Sequence, residues 1–349
     1  MTHPRIDRRS LLAAGAALAG APLWPRITLG AESLIAAMFG GTWSEVHRTI
    51  LKPCFEKDSG ASVSQAAMLA TEQISKLTAA AGGQPPFDVA MMDEGPALQA
   101  IERGLLAEYD ASLSPNFGEL LPKFQDPWGP SVSMQCIGLA YNPRTVKEPP
   151  TSWEDLWDPK YEGRVGITSL ASTLGTAFLV EISRLNGGHE GDMGPAFAKL
   201  QTLLPNLGAV SANFGAHAAL FQQEVVDVGV QNFNFVETLK GKGVSIEWVK
   251  PDTGAPAWKT TMHVVRNAAQ PGLAHTYINC HLKADVQTAM GAAPYNVIPT
   301  NANVPLSGQV KEKVAATHDE LDKLIFYDWS KINEGRDEWS KQFNRQIRV

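Results

Sequence analysis

Between Gly166 and Leu179 the chain reads GITSLASTLGTAFL, so that Thr168, Ser169, Ser172, Thr173 and Thr176 crowd the entrance to an apolar-periodic run. One such hydroxyl caps a helix, accepting from a first-turn N–H for about 1 kcal/mol. A cap needs a single residue, so the cluster has hydroxyls to spare. Hydroxyls beside the free N–H groups of a helix N-terminus also seat an anion such as a carboxylate or phosphate. Elsewhere, Asp93-Glu94 follows an apolar run and offers the opposite sign. The bland readings are a cap or an exposed patch for the hydroxyls, and a solvated loop or N-cap before Pro96 for the acidic pair. The chemical reading joins the two sites around a zwitterion. An amine is then held by Asp93 or Glu94 beside Trp43, and an acid group by Ser169, Ser172 and Thr173. An ω-amino acid or aminophosphonate fits this pattern, and so does a monoamine.

Other aromatic and polar side chains fall at the ends of apolar runs: Trp43-Ser44, Gln231-Asn232, Trp258 with Thr260, and Tyr295. In open α/β sheets ligands bind beyond the carboxyl ends of the strands. A cleft with few fixed polar groups is a small-molecule site. Catalytic and metal signatures are missing: there is no HExxH, CxxC, GxSxG, GxGxxG or Walker A sequence. His275 and His281 lie six apart, on different faces of one helix, and read as surface or core residues. No cofactor, metal or catalytic residue is expected.

The elements that must position these groups alternate. SLIAAMF, ASVSQAAML and FDVAMMD read as strands; SEVHRTILKPCFEKDSG, TEQISKLTAAAGG and PALQAIERGLL read as the helices between and after them. CIGLAYNPRTV is a strand ended by Asn142-Pro143, and further strands and helices follow through FQQEVVDVGVQN, VSIEWVKP and GLAHTYINCHLKADVQTAM. HDELDKLIFYDWSKI and DEWSKQFNRQI read as closing helices. Strand–helix alternation predicts two doubly wound α/β lobes with a ligand cleft between them. Lobe 1 is expected over 32–140 and 264–349, and lobe 2, inserted into it, over 141–263.

The chain has 349 residues, 44% hydrophobic and 19% charged, the profile of a globular protein of two lobes. Arg5, Arg8 and Arg9 precede the eleven-residue apolar run LLAAGAALAGA, too short to span a bilayer. The paired Arg8-Arg9 resembles a twin-arginine export signal, with an ordinary Sec signal as the alternative. Cleavage near Ala31 places the mature chain in the periplasm. That mature chain carries 26 basic and 35 acidic residues, a net charge of −9, which gives no electrostatic reason to hold nucleic acid or an anionic membrane. Cys54, Cys136 and Cys280 form no disulfide framework and read as small buried hydrophobes, with room for one bridge.

The order and spacing of SWEDLWDPKYEGRVGI, FEKDSGASV, FDVAMMDEG to RGLLAEYD, VKPDTGAPAW, and YINCHLKADVQ leading to APYNVIPTN resemble the periplasmic solute-binding proteins of ABC importers, the group with the spermidine/putrescine receptors. The resemblance implies a type II periplasmic-binding-protein fold, a monomer that closes on a small molecule, and a membrane permease as partner. Joined with the residues read above, it gives a candidate site of Trp43, Ser44, Asp93, Glu94, Ser169, Ser172, Thr173, Asn232, Trp258, Thr260 and Tyr295. Polyamine receptors surround ammonium groups with aromatics and carboxylates. Trp43, Trp258 and Tyr295 match aromatic positions, but Val46, Asn232 and Thr260 stand where a tyrosine, a tryptophan and a carboxylate are expected. Ser169, Ser172 and Thr173 replace an acidic pair. The alternatives are a receptor for a carboxylate or phosphonate anion, one for a ferric complex, which adjacent tyrosines would mark and which are absent, or an enzyme on the same scaffold.

Overall fold

Ten strands set the frame: β1 (Ser33–Met38), β2 (Ser62–Ala67), β3 (Val89–Asp93), β4 (Ser131–Tyr141), β5 (Val165–Thr168), β6 (Leu207–Ser211), β7 (Val228–Asn232), β8 (Glu247–Val249), β9 (Pro256–Val264) and β10 (Ile325–Phe326). They come from a computed structural model that describes residues 33–212 and 214–347. The expected leader and its cleavage near Ala31 lie outside the described residues.

The strands follow the order β2-β1-β3-β9-β4-β7-β5-β6, with β10 on β9 and β8 on β4. Each half repeats one scheme. In the first, β2, β1 and β3 are parallel and β9 runs antiparallel to β3. In the second, β6, β5 and β7 are parallel and β4 runs antiparallel to β7. The halves meet where β4 and β9 pair antiparallel, from Ser131↔Thr261 to Cys136↔Ala257.

Side-chain alternation along the strands explains why both faces are covered. Leu34, Ala36 and Met38 of β1, with Val89 and Met91 of β3, face one core that includes Phe55, Tyr277 and Ile278. Ala37, Ala90 and Met92 face a second core with Ile74, Leu77 and Phe87. A third core gathers Ile137, Leu139, Val165, Ile167, Phe178 and Trp153 of the other half. Most expected helices form: Lys52–Ser59 ends at Gly60 in a left-handed cap (φ 71°) as its sequence requires, and Ala70–Ala79, Glu94–Glu102 and Thr173–Leu185 follow their strands.

Two readings need correcting, and one strand went unread. The return from the second half, expected near His263, runs through β9, which begins at Pro256 and pairs with β4 from Ala257 and with β3 from Thr260. The strand PAWKTTMHV is almost wholly buried, but its lysine, threonines and histidine obscure the apolar pattern. HDELDKLIFYDWSKI is no single helix; it divides into the short helix His318–Leu321, β10 and the start of the helix Trp329–Gln346. The start of FQQEVVDVGVQN is not strand: Phe221 and Gln222 end the helix Phe214–Gln222, Gln223 lies in the turn after it, and β7 begins only at Val228.

The closing helix Trp329–Gln346 buries Trp329, Ile332, Arg336 and Phe343 and touches both halves. Asn333 donates to the Gly95 carbonyl (2.8 Å), while Arg336 donates to the Leu170 carbonyl (3.2 Å). Just before it, the Tyr327 hydroxyl donates to Glu181 (2.6 Å), which also holds Arg184. The helix Thr173–Leu185 is seated tightly on the end of β5: a Cβ at Gly175 would lie 2.3 Å from the Ser169 carbonyl oxygen and 2.6 Å from that of Thr168. Gly175→Ala is therefore expected to cost about 1–3 kcal/mol and to lower the melting midpoint by a few degrees. An unchanged midpoint by circular dichroism would show that this helix start is not seated as described.

Candidate ligand-binding site

Strand register brings three facing pairs together where the two halves join. Asp93 at the end of β3 lies opposite Thr260 of β9; Trp258 lies opposite Gln135 of β4; Asn232 at the end of β7 lies opposite Ile137. Between Cys136 and Ile137, β4 changes partner from β9 to β7. The carboxyl ends of β3 and β7 thus open onto the same place.

That place holds two adjoining cavities that share Phe39 and Asp93. One, of about 260 Å³, is walled by Phe39, Trp43, Gln135, Asn232, Phe235 and Trp258. The other, of about 310 Å³, is walled by Leu69, Thr71, Pro96, Ser172, Thr173 and Arg336. The first is aromatic, with amide groups; the second mixes apolar walls with hydroxyls, a carboxyl and a guanidinium. Asn232 donates to Gln135 (3.0 Å), but its carbonyl oxygen finds no partner among the described residues. A buried unpaired acceptor is costly unless something fills the role. Another depression, between Leu77 and Arg266, is of about 420 Å³, but its charged walls, Arg103 and Arg266, are exposed.

Asp93 sits at the N-cap of the helix Glu94–Glu102 without capping it. Its carboxyl instead accepts from Thr260 (3.3 Å), and the Thr173 hydroxyl of the opposite half lies near enough to favour the carboxylate. The Trp258 indole N–H is near enough to favour the carboxylate but closes no hydrogen bond. Burial outweighs these donors and pushes Asp93 up to about 6. Arg336, only 6% exposed, lies near enough to attract it. Burial draws the arginine's own pKa down against that attraction, and among the described residues no carboxylate closes an ion pair with it.

The hydroxyl cluster divides its work. Ser172 is the cap, accepting from the Gly175 N–H (3.1 Å), bonding the Thr168 hydroxyl (2.9 Å) and donating to the Ser169 carbonyl (3.2 Å). Thr176 turns back to the carbonyls of Leu170 and Ser172. Of the hydroxyls expected in the site, Ser172 and Thr173 line a cavity, whereas half-buried Ser169 does not.

The remaining expected residues are placed as follows. Trp43, Trp258 and Asn232 line the aromatic cavity although each is at most 1% exposed. Thr260 acts behind it, on Asp93. Glu94 is turned to Lys259, which reaches it through its backbone N–H (3.3 Å) and its ammonium (3.5 Å). Lys259 is therefore a half-buried partner of Glu94. Ser44 is half-buried beside the site without lining it. Tyr295 bonds Thr49 (2.9 Å) away from both cavities. Sequence reasoning missed Phe39, Gln135, Phe235 and Arg336. Arg336 did carry a signal: it falls seven residues after Trp329 and four after Ile332, on the apolar stripe of its helix.

Ionising a carboxyl that burial has raised from 3.8 to about 6 costs on the order of 3 kcal/mol of fold stability above about pH 6. The cost fades as pH falls towards 4, where the native carboxyl keeps its proton. Asp93→Asn should therefore raise the melting midpoint of ligand-free protein at about pH 7.5, with the gain shrinking towards about pH 4. A destabilised variant at neutral pH would contradict this.

Comparison with known proteins agrees with the geometry. Residues 84–335 match the sequence profile of the bacterial extracellular solute-binding proteins. A spermidine/putrescine-binding periplasmic protein from Haemophilus influenzae is 27% identical over 247 residues, 68% of each chain. A periplasmic protein from Salmonella typhi named for 2-aminoethylphosphonate binding is 23% identical over 222 residues, 62% of this chain and 64% of the other. A periplasmic binding protein from Actinobacillus pleuropneumoniae, solved with fructose-6-phosphate, shares the fold at a TM-score of 0.73 and 22% identity, over 91% of this chain and 98% of the other. With its two-halved α/β frame of the type II binding-protein fold and a site at the junction, the chain belongs to the bacterial extracellular solute-binding proteins and resembles, within them, the spermidine/putrescine receptors of ABC transporters.

Proposed function

We propose that this protein captures a small zwitterion in the periplasm, by closure of two lobes, and delivers it to the membrane permease of an ABC importer. The supporting observation is the pair Asp93 and Arg336. Both are buried, they share one cavity system, and neither is neutralised by an ion pair. A molecule carrying both signs supplies the missing partner of each. Its ammonium belongs with Asp93 and the faces of Trp43 and Trp258, where desolvation strengthens both the Coulombic and the cation–π attraction. The Asn232 carbonyl oxygen accepts a further hydrogen. Its acid group belongs with Arg336, the Ser172 hydroxyl and the first N–H groups of the helix Thr173–Leu185. Glu94, held by Lys259, is the weaker candidate for the amine.

The lobes are taken as 141–263 and the segments flanking it, with β4 and β9 crossing between them. A ligand touching Asp93 on one side and Ser172 on the other favours the closed arrangement because only that arrangement makes both contacts. Receptors of this kind bind and release without chemistry. The second reading is a polyamine, favoured by the relatives named for spermidine and putrescine. A single buried carboxylate suits one ammonium rather than two, and the guanidinium repels a second.

Thermal melts of residues 32–349 against putrescine, spermidine, 4-aminobutyrate, 2-aminoethylphosphonate, dicarboxylates and ferric citrate test the reading. Ligand at about a hundred times its dissociation constant adds about 2.7 kcal/mol. A shift with the zwitterions alone is expected; a shift with spermidine but not with 4-aminobutyrate or 2-aminoethylphosphonate would overturn it. By calorimetry, Arg336→Gln should weaken zwitterion binding at least about tenfold without weakening a simple monoamine, whereas Asp93→Asn should weaken both. Affinity should be level above about pH 7 and fall about tenfold per unit below about pH 6, because the amine needs the ionised carboxylate. A flat pH profile would remove Asp93 from the amine's place.

A further inference from the structure

We propose that Cys54 and Cys280 form a disulfide in the exported protein, tying the helix Lys52–Ser59 to the helix Pro271–Leu282. The proposal rests on the export half of the reading above and not on the ligand. The two thiols and the Asp58 carboxylate all lie within 4.8 Å of one another. Both thiols point at Asp58, Cys280 at 3.5 Å and Cys54 at 3.9 Å, and the thiols are near enough to interact with each other directly. Their helices are fixed face to face by Phe55 against Tyr277, with ring centroids 5.6 Å apart, and the turn leading into the first adds the His47–Tyr277 bond of 2.7 Å.

The same three groups are the one constellation among the described residues with the spacing of a metal site, but its chemistry argues otherwise. The Lys283 ammonium already holds Asp58 at 2.5 Å, so an added cation would face a resident one. Cys136 lies buried in β4, its thiol pushed up to about 12 by burial. Three cysteines thus resolve into one pair and one core residue. Half-exposed Cys54 is the sulfur that an outside oxidant can reach.

The oxidant is a disulfide of the oxidising compartment, protein or small molecule. The Cys54 thiolate attacks it, forming a mixed disulfide and releasing one thiolate. The Cys280 thiolate then attacks the Cys54 sulfur and releases the second. The two cysteines lose two hydrogens as protons and two electrons, and the oxidant becomes two thiols. Both helices pack on the same core of the first half. The bridge therefore closes that half across the point where the second is inserted, and does not cross the cleft.

The test treats purified full-length protein with oxidised glutathione, blocks remaining thiols with maleimide under denaturing conditions, and maps peptides by mass. One peptide pair joined through Cys54 and Cys280, with Cys136 the single blocked thiol, is expected. The oxidised form should melt a few degrees above the reduced form. Cys54→Ser and Cys280→Ser should each abolish both the link and that difference, and zwitterion affinity should stay within about twofold across all forms. Three blocked thiols after oxidation, or a zinc ion that copurifies and shields both thiols, would overturn the proposal. Because oxidation is performed on purified protein, its failure leaves export open, and export is read separately from the N-terminal mass of periplasmic material.

Discussion

Everything in this molecule that concerns a ligand depends on the antiparallel pairing of β4 with β9. Each strand is the antiparallel member of its own sheet, and the two meet over Ser131–Cys136 and Ala257–Thr261. Register does the rest. Fixing Gln135 opposite Trp258 fixes Thr260 next to Asp93, and the change of partner at Ile137 fixes Asn232. A slip of one residue in that pairing would turn Trp258 out of its core and its neighbours in. The aromatic wall and its carboxylate are thus consequences of a backbone ladder.

The chemistry that results is an unbalanced one. Burial normally removes charge from a protein interior or pairs it. Here a carboxylate and a guanidinium sense one another yet remain unjoined, with cavities on either side of the carboxylate. The fold bears the desolvation of both groups, and this is how binding sites differ from cores: stability is given up locally so that a ligand can restore it.

Much of this was legible in the sequence, for physical reasons that differ by element. The parallel strands are short apolar runs, and their helices end at glycines, so SLIAAMF, FDVAMMD and the stop at Gly60 could be read directly. β9 could not, because a strand buried on both faces yet rich in threonine shows neither alternation nor an apolar run. The hydroxyl cluster was visible as an excess over one cap. Its division between Ser172 as cap, Thr176 as backbone anchor and Thr173 beside Asp93 follows from how closely the helix sits on β5, which no spacing reveals. Glu94 and Asp93 looked equivalent; only the approach of Lys259 separates them. Arg336 was hidden because an arginine among acidic residues reads as solvent-facing unless its place on the Trp329–Ile332 stripe is noticed.

The closing helix carries a consequence for how the protein comes into being. Arg336 follows every strand of both halves in the chain, and its helix bonds Gly95 on one half and Leu170 on the other. Synthesis runs from the N-terminus, so each half can collect its strands and most of its core before this helix leaves the ribosome. The proposed site acquires its buried cation only after both halves have been made. A nascent chain that stops short of this helix can therefore look folded and still lack one side of that site.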